Sequence, residues 1–209
     1  GNHLRHLGGR IAFHDTNLNG VRVGESSDRI AEEAVRFLED NASRPFFLCV
    51  PFSAPHVPFQ AQRKYYEGFP EIEDETKRVY RAMIKNLDDA VGLITGRLEE
   101  LGLERETLVI FASDNGGALH TGATDNAPLK GGKFTNFEGG LNIPFMLSWE
   151  GVLPEGGRFS RPVSLMDVFN TAAAASSIRV SRSSTGIPAS LVLRIAGTSS
   201  LDPDGASRM

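Results

Sequence analysis

The sequence predicts an α/β fold with a largely parallel or mixed sheet flanked by helices. Continuous apolar runs at residues 46–50, 107–112 and 144–149 predict three strands. Stretches with helical periodicity separate them, and glycine- or proline-rich loops follow the first two. Apolar runs of this length indicate strands covered on both faces, and their alternation with helices is typical of parallel sheets.

Three stretches with apolar residues every three or four positions predict helices. They begin near Ser27, which with the neighbouring Asp28 is a candidate cap, near residue 75, and at Ser164. Gly102 marks the end of the second and longest helix, because glycine readily adopts the left-handed conformation of a helix terminus. Ser164 and Asp167 have the spacing of a capping box, which predicts the start of the third helix.

The composition is that of a globular protein and excludes several classes of partner. The chain has 209 residues, of which 40% are hydrophobic, and its net charge of −4 provides no basic surface for nucleic acid. No apolar run is long enough to predict a membrane span. The single cysteine excludes an internal disulfide and a thiolate-rich metal site. The cysteine content does not favour one cellular compartment over another.

The chain divides into a main unit over residues 1–175 and an atypical tail over 176–209. The tail is rich in serine and arginine and contains neither lysine nor an aromatic residue. Its short apolar run around residues 191–195 matches no other pattern in the chain. We expect the tail to be either frameshifted or disordered, the alternative being a lineage-specific extension.

Three polar clusters lie beside the predicted strands. Asp114 and Asn115 follow the strand 107–112 and offer hard oxygen ligands to Ca²⁺ or Mg²⁺, although such residues also form plain turns. His56 lies between two prolines after the strand 46–50 and suits a general acid, the alternative being a surface histidine in a stiff loop. Lys130 and Lys133 lie among glycines that let a backbone approach an oxyanion, or that form a flexible loop.

The order of these segments is more specific than any one of them. Along the chain the sequence reads PFFLCVPFSAPHVP, NLDDAVG, LVIFASDNGG, LKGGKFTNFEGG and NIPFMLSW. This series resembles the sulfatase family (arylsulfatase-like) of the alkaline-phosphatase-like superfamily over about residues 14–175. A looser family segment is similar to His14-Asp15 with Asn19-Gly20. The resemblance implies that residues 1–175 are part of a sulfatase catalytic domain.

The resemblance also implies roles for individual residues. Asp114 and Asn115 would be ligands of Ca²⁺, with Mg²⁺ as the alternative metal. His56 and Lys133 would be catalytic, binding the sulfate and stabilising the leaving oxygen, and Lys130 would contact the substrate. The nucleophile would be a formylglycine, made from a C/S-x-P-x-R motif by the formylglycine-generating enzyme.

The family places that motif, and the partner Asp pair of the metal site, before the segments found here. We therefore expect both to lie upstream of Gly1, and this stretch alone to be inactive. Cys49 is not the nucleophile, because Ser53 stands where the motif requires arginine and Cys49 lies in a predicted buried strand.

The expected activity is that of a sulfuric ester hydrolase acting on a small sulfate ester or sulfated glycan. The alternatives are a phosphonate or phosphate monoester hydrolase of the same superfamily, or a non-catalytic truncated remnant. The resemblance allows a periplasmic, extracellular or lysosomal-type compartment and selects none of them.

Overall fold

The structure, a computed structural model, describes residues 26–176 and the backbone of three further strands at 3–7, 10–14 and 190–194. Two short 3₁₀ turns, at Glu104–Glu106 and Leu119–Thr121, accompany the helices and strands. In chain order the elements are β1 (His3–Leu7), β2 (Arg10–His14), α1 (Ser26–Asn41), β3 (Phe46–Cys49), β4 (Gln60–Gln62), α2 (Arg63–Tyr66), α3 (Glu75–Glu100), β5 (Thr107–Ala112), α4 (Glu138–Leu141), β6 (Phe145–Ser148), α5 (Leu165–Ala175) and β7 (Ser190–Arg194).

The larger sheet brings the carboxyl ends of two strands, and the loops that follow them, to one edge. Its strand order is β3-β7-β5-β6, and a smaller sheet has the order β2-β1-β4. β7 pairs antiparallel with both β3 and β5, so β3 and β5 run in the same direction. Their carboxyl ends, at Cys49 and Ala112, therefore lie at the same edge of the sheet, which is where ligand sites form in α/β proteins.

Helices pack against both faces of the larger sheet. On one face, α1 and α3 pack against β3 through a core that includes Leu38, Phe46 and Ile94. On the other face, Val168 and Ala172 of α5 contact alternate residues of β5. This three-layer arrangement confirms the predicted α/β class.

Two helix boundaries predicted from the sequence are confirmed, the end of α3 and the start of α5. α3 ends at Glu100, shortly before Gly102. The φ of Gly102, 65°, lies in the left-handed region, and the N–H groups of Gly102 and Leu103 donate back to the last turn. At the start of α5, the Ser164 hydroxyl accepts from the N–H of Met166, and the Asp167 carboxylate accepts from the N–H of Ser164. None of the described helices is both long and apolar enough to cross a bilayer.

The start of α1 differs from the prediction. The helix begins at Ser26, and the Asp28 carboxylate accepts hydrogen bonds from the side chains of Gln62 and Asn86. Asn86 is buried, so these bonds satisfy a polar group inside the protein. Asp28 therefore connects α1 to β4 and α3, an arrangement that local sequence does not reveal.

The largely parallel pairing expected for the sheet is not found, since every strand pair in the described part of the chain is antiparallel. The reason lies in the tail, where Ser190–Arg194 forms β7 between the co-directional β3 and β5. The frameshift, disorder and domain boundary predicted for residues 176–209 stay predictions.

A second correction concerns β3, which was predicted to be covered on both faces. Phe47 is 53% exposed, so the described helices cover only part of the β3 face on which Phe47 lies.

Candidate active site

Loops after β3 and β5 meet at the sheet edge and enclose a cavity of about 1040 Å³, hereafter the site cavity. The 51–58 loop forms one wall and the 113–118 loop forms another. The glycine-rich segment, here called the lysine loop (residues 128–140), contributes a third wall. Tyr80, Met83 and Leu87 of α3 also line the cavity, so a polar rim lies beside apolar side chains.

Asp114 and Asn115 occupy the turn immediately after β5. The N–H of Ser113 donates to the Pro144 carbonyl over 3.1 Å, and its hydroxyl donates to the Asn115 carbonyl over 2.8 Å. The Asn115 carboxamide donates to an Asp114 carboxylate oxygen over 2.8 Å. These bonds fix two side chains with hard oxygen donors at the cavity wall.

The fit of this turn to a metal is partial. Ca²⁺ takes about six to eight oxygen ligands, and within the described ranges no group of three or more His, Cys, Asp or Glu residues converges. Asp114 and Asn115 have the ligand chemistry that Ca²⁺ prefers. They can therefore form one side of a cation site, and further oxygens must come from other groups.

The lysine loop packs backbone to backbone against the 113–118 loop. The N–H of Gly116 donates to the Gly140 carbonyl over 3.0 Å. A Cβ atom at Gly116 would lie 1.8 Å from the Gly139 carbonyl oxygen, so no side chain fits between the two loops. The N–H of Lys133 donates to the Gly117 carbonyl over 3.0 Å. Glycine is therefore required at this contact, and the contact places Lys133 at the cavity.

Asn126 joins the same two loops and was missed by the sequence analysis. Its carboxamide nitrogen donates to the carbonyls of Gly117 and Gly131, each over 3.0 Å. The residue also lines the site cavity. A lone asparagine before Ala-Pro gives no local signal of this role, because the two carbonyls belong to segments that meet only in the fold.

His56 is exposed on the rim, in a turn closed by a 2.9 Å bond from its N–H to the Ser53 carbonyl. Its ring Nδ1 lies 2.7 Å from the Val57 carbonyl oxygen. Because a carbonyl oxygen only accepts, Nδ1 carries the proton in this contact. The other ring nitrogen, Nε2, is left as the atom with which His56 can meet a ligand.

The structure brings together four of the five predicted site residues. His56, Asp114, Asn115 and Lys133 all line the site cavity. Lys130 does not line the cavity, and its ammonium lies over the Phe137 ring, 4.2 Å from the centroid. The substrate contact expected of Lys130 stays a prediction. Asp15 and Asn19-Gly20, in the looser segment, lie outside the described residues.

Cys49 lies on β3, outside the walls of the site cavity. Burial raises the pKa of the Cys49 thiol. A raised thiol pKa reduces the fraction of thiolate, which is the reactive form. Both observations agree with excluding Cys49 as the nucleophile.

Comparison with known proteins decides the family. Residues 4–178 match the model of the Sulfatase family. The chain belongs to the Sulfatase family. The resemblance seen in the ordered sequence segments is thereby confirmed.

Individual sulfatases are similar over the same region. The chain is 36% identical over 170 residues to the steryl-sulfatase of Mus musculus, covering 78% of this chain and 26% of that protein. It is 34% identical over 145 residues to the N-acetylgalactosamine-6-sulfatase of Mus musculus, covering 67% and 27%. The crystal structure of Ps i-CgsB in complex with k-i-k-neocarrahexaose matches with a TM-score of 0.73 at 33% identity, covering 82% of this chain and 38% of that chain. The chain thus spans about a quarter of the length of these curated relatives.

Proposed function

We propose that this chain forms one side of the active site of a sulfuric ester hydrolase. The observation that carries the proposal is the convergence of His56, Asp114, Asn115 and Lys133 on one cavity in a member of the Sulfatase family. A cation site, an ammonium group and an imidazole around one cavity suit an ester whose transferred group and leaving oxygen are both negatively charged.

Asp114 and Asn115 are the proposed Ca²⁺ ligands on this side of the cavity. When bound, Ca²⁺ would neutralise charge on the sulfate oxygens, and a formylglycine hydrate would supply the attacking oxygen. The remaining metal ligands and the formylglycine are proposed to lie on a part of the protein outside this chain. The formylglycine-generating enzyme is accordingly a proposed partner of the complete protein.

Lys133 is proposed to bind the sulfate and to stabilise the oxygen that leaves. That oxygen gains negative charge as its bond to sulfur breaks, so a fixed ammonium favours the transition state more than the bound substrate. The bond from the Lys133 N–H to the Gly117 carbonyl positions the start of this side chain. This bond anchors the backbone of Lys133 at the wall of the site cavity.

His56 is proposed to donate a proton to the leaving oxygen. Because Nδ1 is engaged by the Val57 carbonyl, Nε2 carries a proton only when the ring is an imidazolium. In that form Nε2 gives its proton to the leaving alcohol and the ring becomes neutral. The Val57 carbonyl thus orients the ring and fixes which nitrogen acts.

The substrate class proposed is a sulfate ester of a ring alcohol. The named relatives are a steryl-sulfatase and an N-acetylgalactosamine-6-sulfatase, and the matched structure holds a neocarrahexaose. The apolar side chains of Tyr80, Met83 and Leu87 beside the polar rim agree with a ring that has an apolar face.

The test is turnover by the complete protein, produced together with a formylglycine-generating enzyme. We expect hydrolysis of 4-nitrophenyl sulfate with added Ca²⁺, at a higher kcat/KM than for 4-nitrophenyl phosphate or phenyl phosphonate. A preference for either phosphorus ester would replace the proposal by that of a phosphomonoester or phosphonate hydrolase. Absence of turnover on all three esters, with formylglycine verified by mass spectrometry, would favour a non-catalytic protein.

A further inference from the structure

Phe134 has a conformation and an exposure that the fold does not explain. Its φ is 73°, and it is the one non-glycine residue with positive φ in the described part of the chain. Side chains other than glycine are strained in this region. Its side chain is 83% exposed, so burial of the ring does not offset the strain. Such outliers persist mainly where a site needs them.

The Phe134 ring does not line the site cavity itself but lies beside Lys133, which does. The His120 ring stacks on it with centroids 5.5 Å apart and an interplanar angle of 30°. The Lys133 ammonium lies 5.4 Å from the centroid of the Phe134 ring, within the range of a cation–π contact. Since Lys133 lines the site cavity, an aromatic face stands beside the group proposed to hold the sulfate.

Phe137 provides a contrast in the same loop. Its ring is already covered in part by the Lys130 ammonium at 4.2 Å. A Cβ atom at Gly131 would lie 2.9 Å from the Phe137 Cβ, so this side chain packs against the loop backbone. Phe137, at 48% exposed, thus packs in part against its own loop, whereas Phe134, at 83% exposed, leaves more of its ring open to a ligand.

We propose that Phe134, supported by His120, is a stacking platform for the ring that carries the sulfate ester. The inference rests on the proposed function and deepens it, because it names the group that binds the leaving alcohol. A sulfate held by Lys133 is joined through one oxygen to the ring, so that ring lies within reach of the Phe134 face. The shared chemistry of the ligand is an apolar ring face, which an aryl ring or a sugar ring supplies.

The test compares ring-bearing and ringless ligands by calorimetric titration of the complete protein, a readout independent of turnover. The ligands are benzenesulfonate, galactose 6-sulfate and methanesulfonate, and the variants are Phe134→Gly, Phe134→Leu and the exposed control Phe159→Ala. In Phe134→Gly we expect the Kd of at least one ring-bearing ligand to rise about three- to tenfold, with methanesulfonate unchanged. The ligand whose Kd rises shows whether the platform binds an aryl ring or a sugar ring.

Stability separates the platform from a packing role. We expect Phe134→Gly to raise the melting temperature, because glycine adopts positive φ without strain. Phe134→Leu should weaken ring binding without that rise, and Phe159→Ala should leave all three Kd values unchanged. A lower melting temperature in Phe134→Gly, or unchanged Kd values for both ring-bearing ligands, would overturn the platform. Failure to hydrolyse sulfate esters would instead refute the proposed function.

Discussion

The N–H of Lys133 donates a 3.0 Å hydrogen bond to the carbonyl oxygen of Gly117, and this bond joins the two loops that carry the proposed ammonium and the proposed metal ligands. The same Gly117 carbonyl accepts from the Asn126 carboxamide. Lys133 and Asp114 therefore share one rigid backbone connection. The distance between the proposed cation and the Lys133 ammonium would depend on that connection.

Asn126→Asp is expected to disturb this connection without changing side-chain size. A carboxylate cannot donate to the Gly117 and Gly131 carbonyls, so Gly117 would keep only the Lys133 N–H and Gly131 would lose the side-chain donor. We expect kcat/KM for 4-nitrophenyl sulfate to fall about tenfold or more, and stability to fall by about 1–3 kcal/mol. Steady-state kinetics and thermal melts of the complete protein measure both.

A double-mutant cycle shows whether Asn126 acts through Lys133. If it does, Asn126→Asp should cause little further loss of kcat/KM in a Lys133→Ala background, because coupled residues are not additive. The matched control is Asn136→Asp, an exposed position in the lysine loop, with near-normal kinetics expected. Fully additive losses would mean that Asn126 supports the fold but does not position Lys133.

Gly116→Ala is expected to force apart the 113–118 loop and the lysine loop. The new Cβ would lie 1.8 Å from the Gly139 carbonyl oxygen, and this atom is backbone, so it cannot rotate away. We expect destabilisation of about 1–3 kcal/mol and loss of activity. Gly92→Ala is the control, since Gly92 is exposed in α3 with nothing within 4 Å of its Cβ position. That change should stabilise by about 0.5–1 kcal/mol, and a similar melting temperature in both variants would contradict the packing argument.

Much of the candidate site follows from local sequence. His56 and Asp114 each follow an apolar run closely, so their placement at strand ends could be predicted without knowing the sheet order. Co-directional β3 and β5 then bring both residues to one edge. The approach to an oxyanion that the glycines of the lysine loop predicted stays a prediction, and the structure shows a different use of them, the close packing of Gly139 against Gly116.

The features that sequence did not reveal depend on long-range pairing. Ser190–Arg194 enters the sheet as β7, although its short apolar run gave no sign of which strands it would join. Asn126 contacts two carbonyls whose proximity exists only after the loops pack. The ammonium of Lys130 lies over Phe137, and the spacing of lysines in a loop does not determine where each ammonium lies.

Asp114→Ala is expected to weaken Ca²⁺ binding about tenfold or more, because it removes one of a small set of hard oxygen ligands. Excess Ca²⁺ should restore part of the activity. Calorimetric Ca²⁺ titration of the complete protein measures the affinity. Asp125→Asn is the control: Asp125 also lines the site cavity and accepts from the Ala127 N–H over 2.9 Å, and asparagine keeps that acceptor but removes the charge. Equal weakening in both variants would indicate a general effect of charge in the cavity.

Lys133→Ala and His56→Ala are expected to lower kcat/KM for 4-nitrophenyl sulfate far more than they lower stability. Both side chains line the cavity from loops beyond strand ends, where packing contributes little and binding sites form. Loss of one preorganised donor typically costs about 10²–10³ in rate. Loop substitutions away from special features usually change stability by less than about 0.5 kcal/mol.

Lys130→Ala separates the specific role of Lys133 from the general charge of the lysine loop. Both lysines belong to this loop, but the ammonium of Lys130 lies over Phe137 and outside the walls of the site cavity. We therefore expect Lys130→Ala to raise KM modestly and to leave kcat close to normal, because its contact with the substrate would be peripheral. The Lys133→Ala variant should lose kcat. An equal loss of kcat in Lys130→Ala and Lys133→Ala would contradict a specific catalytic role for the Lys133 ammonium. The bond from the backbone N–H of Lys133 to the Gly117 carbonyl would then not account for the activity.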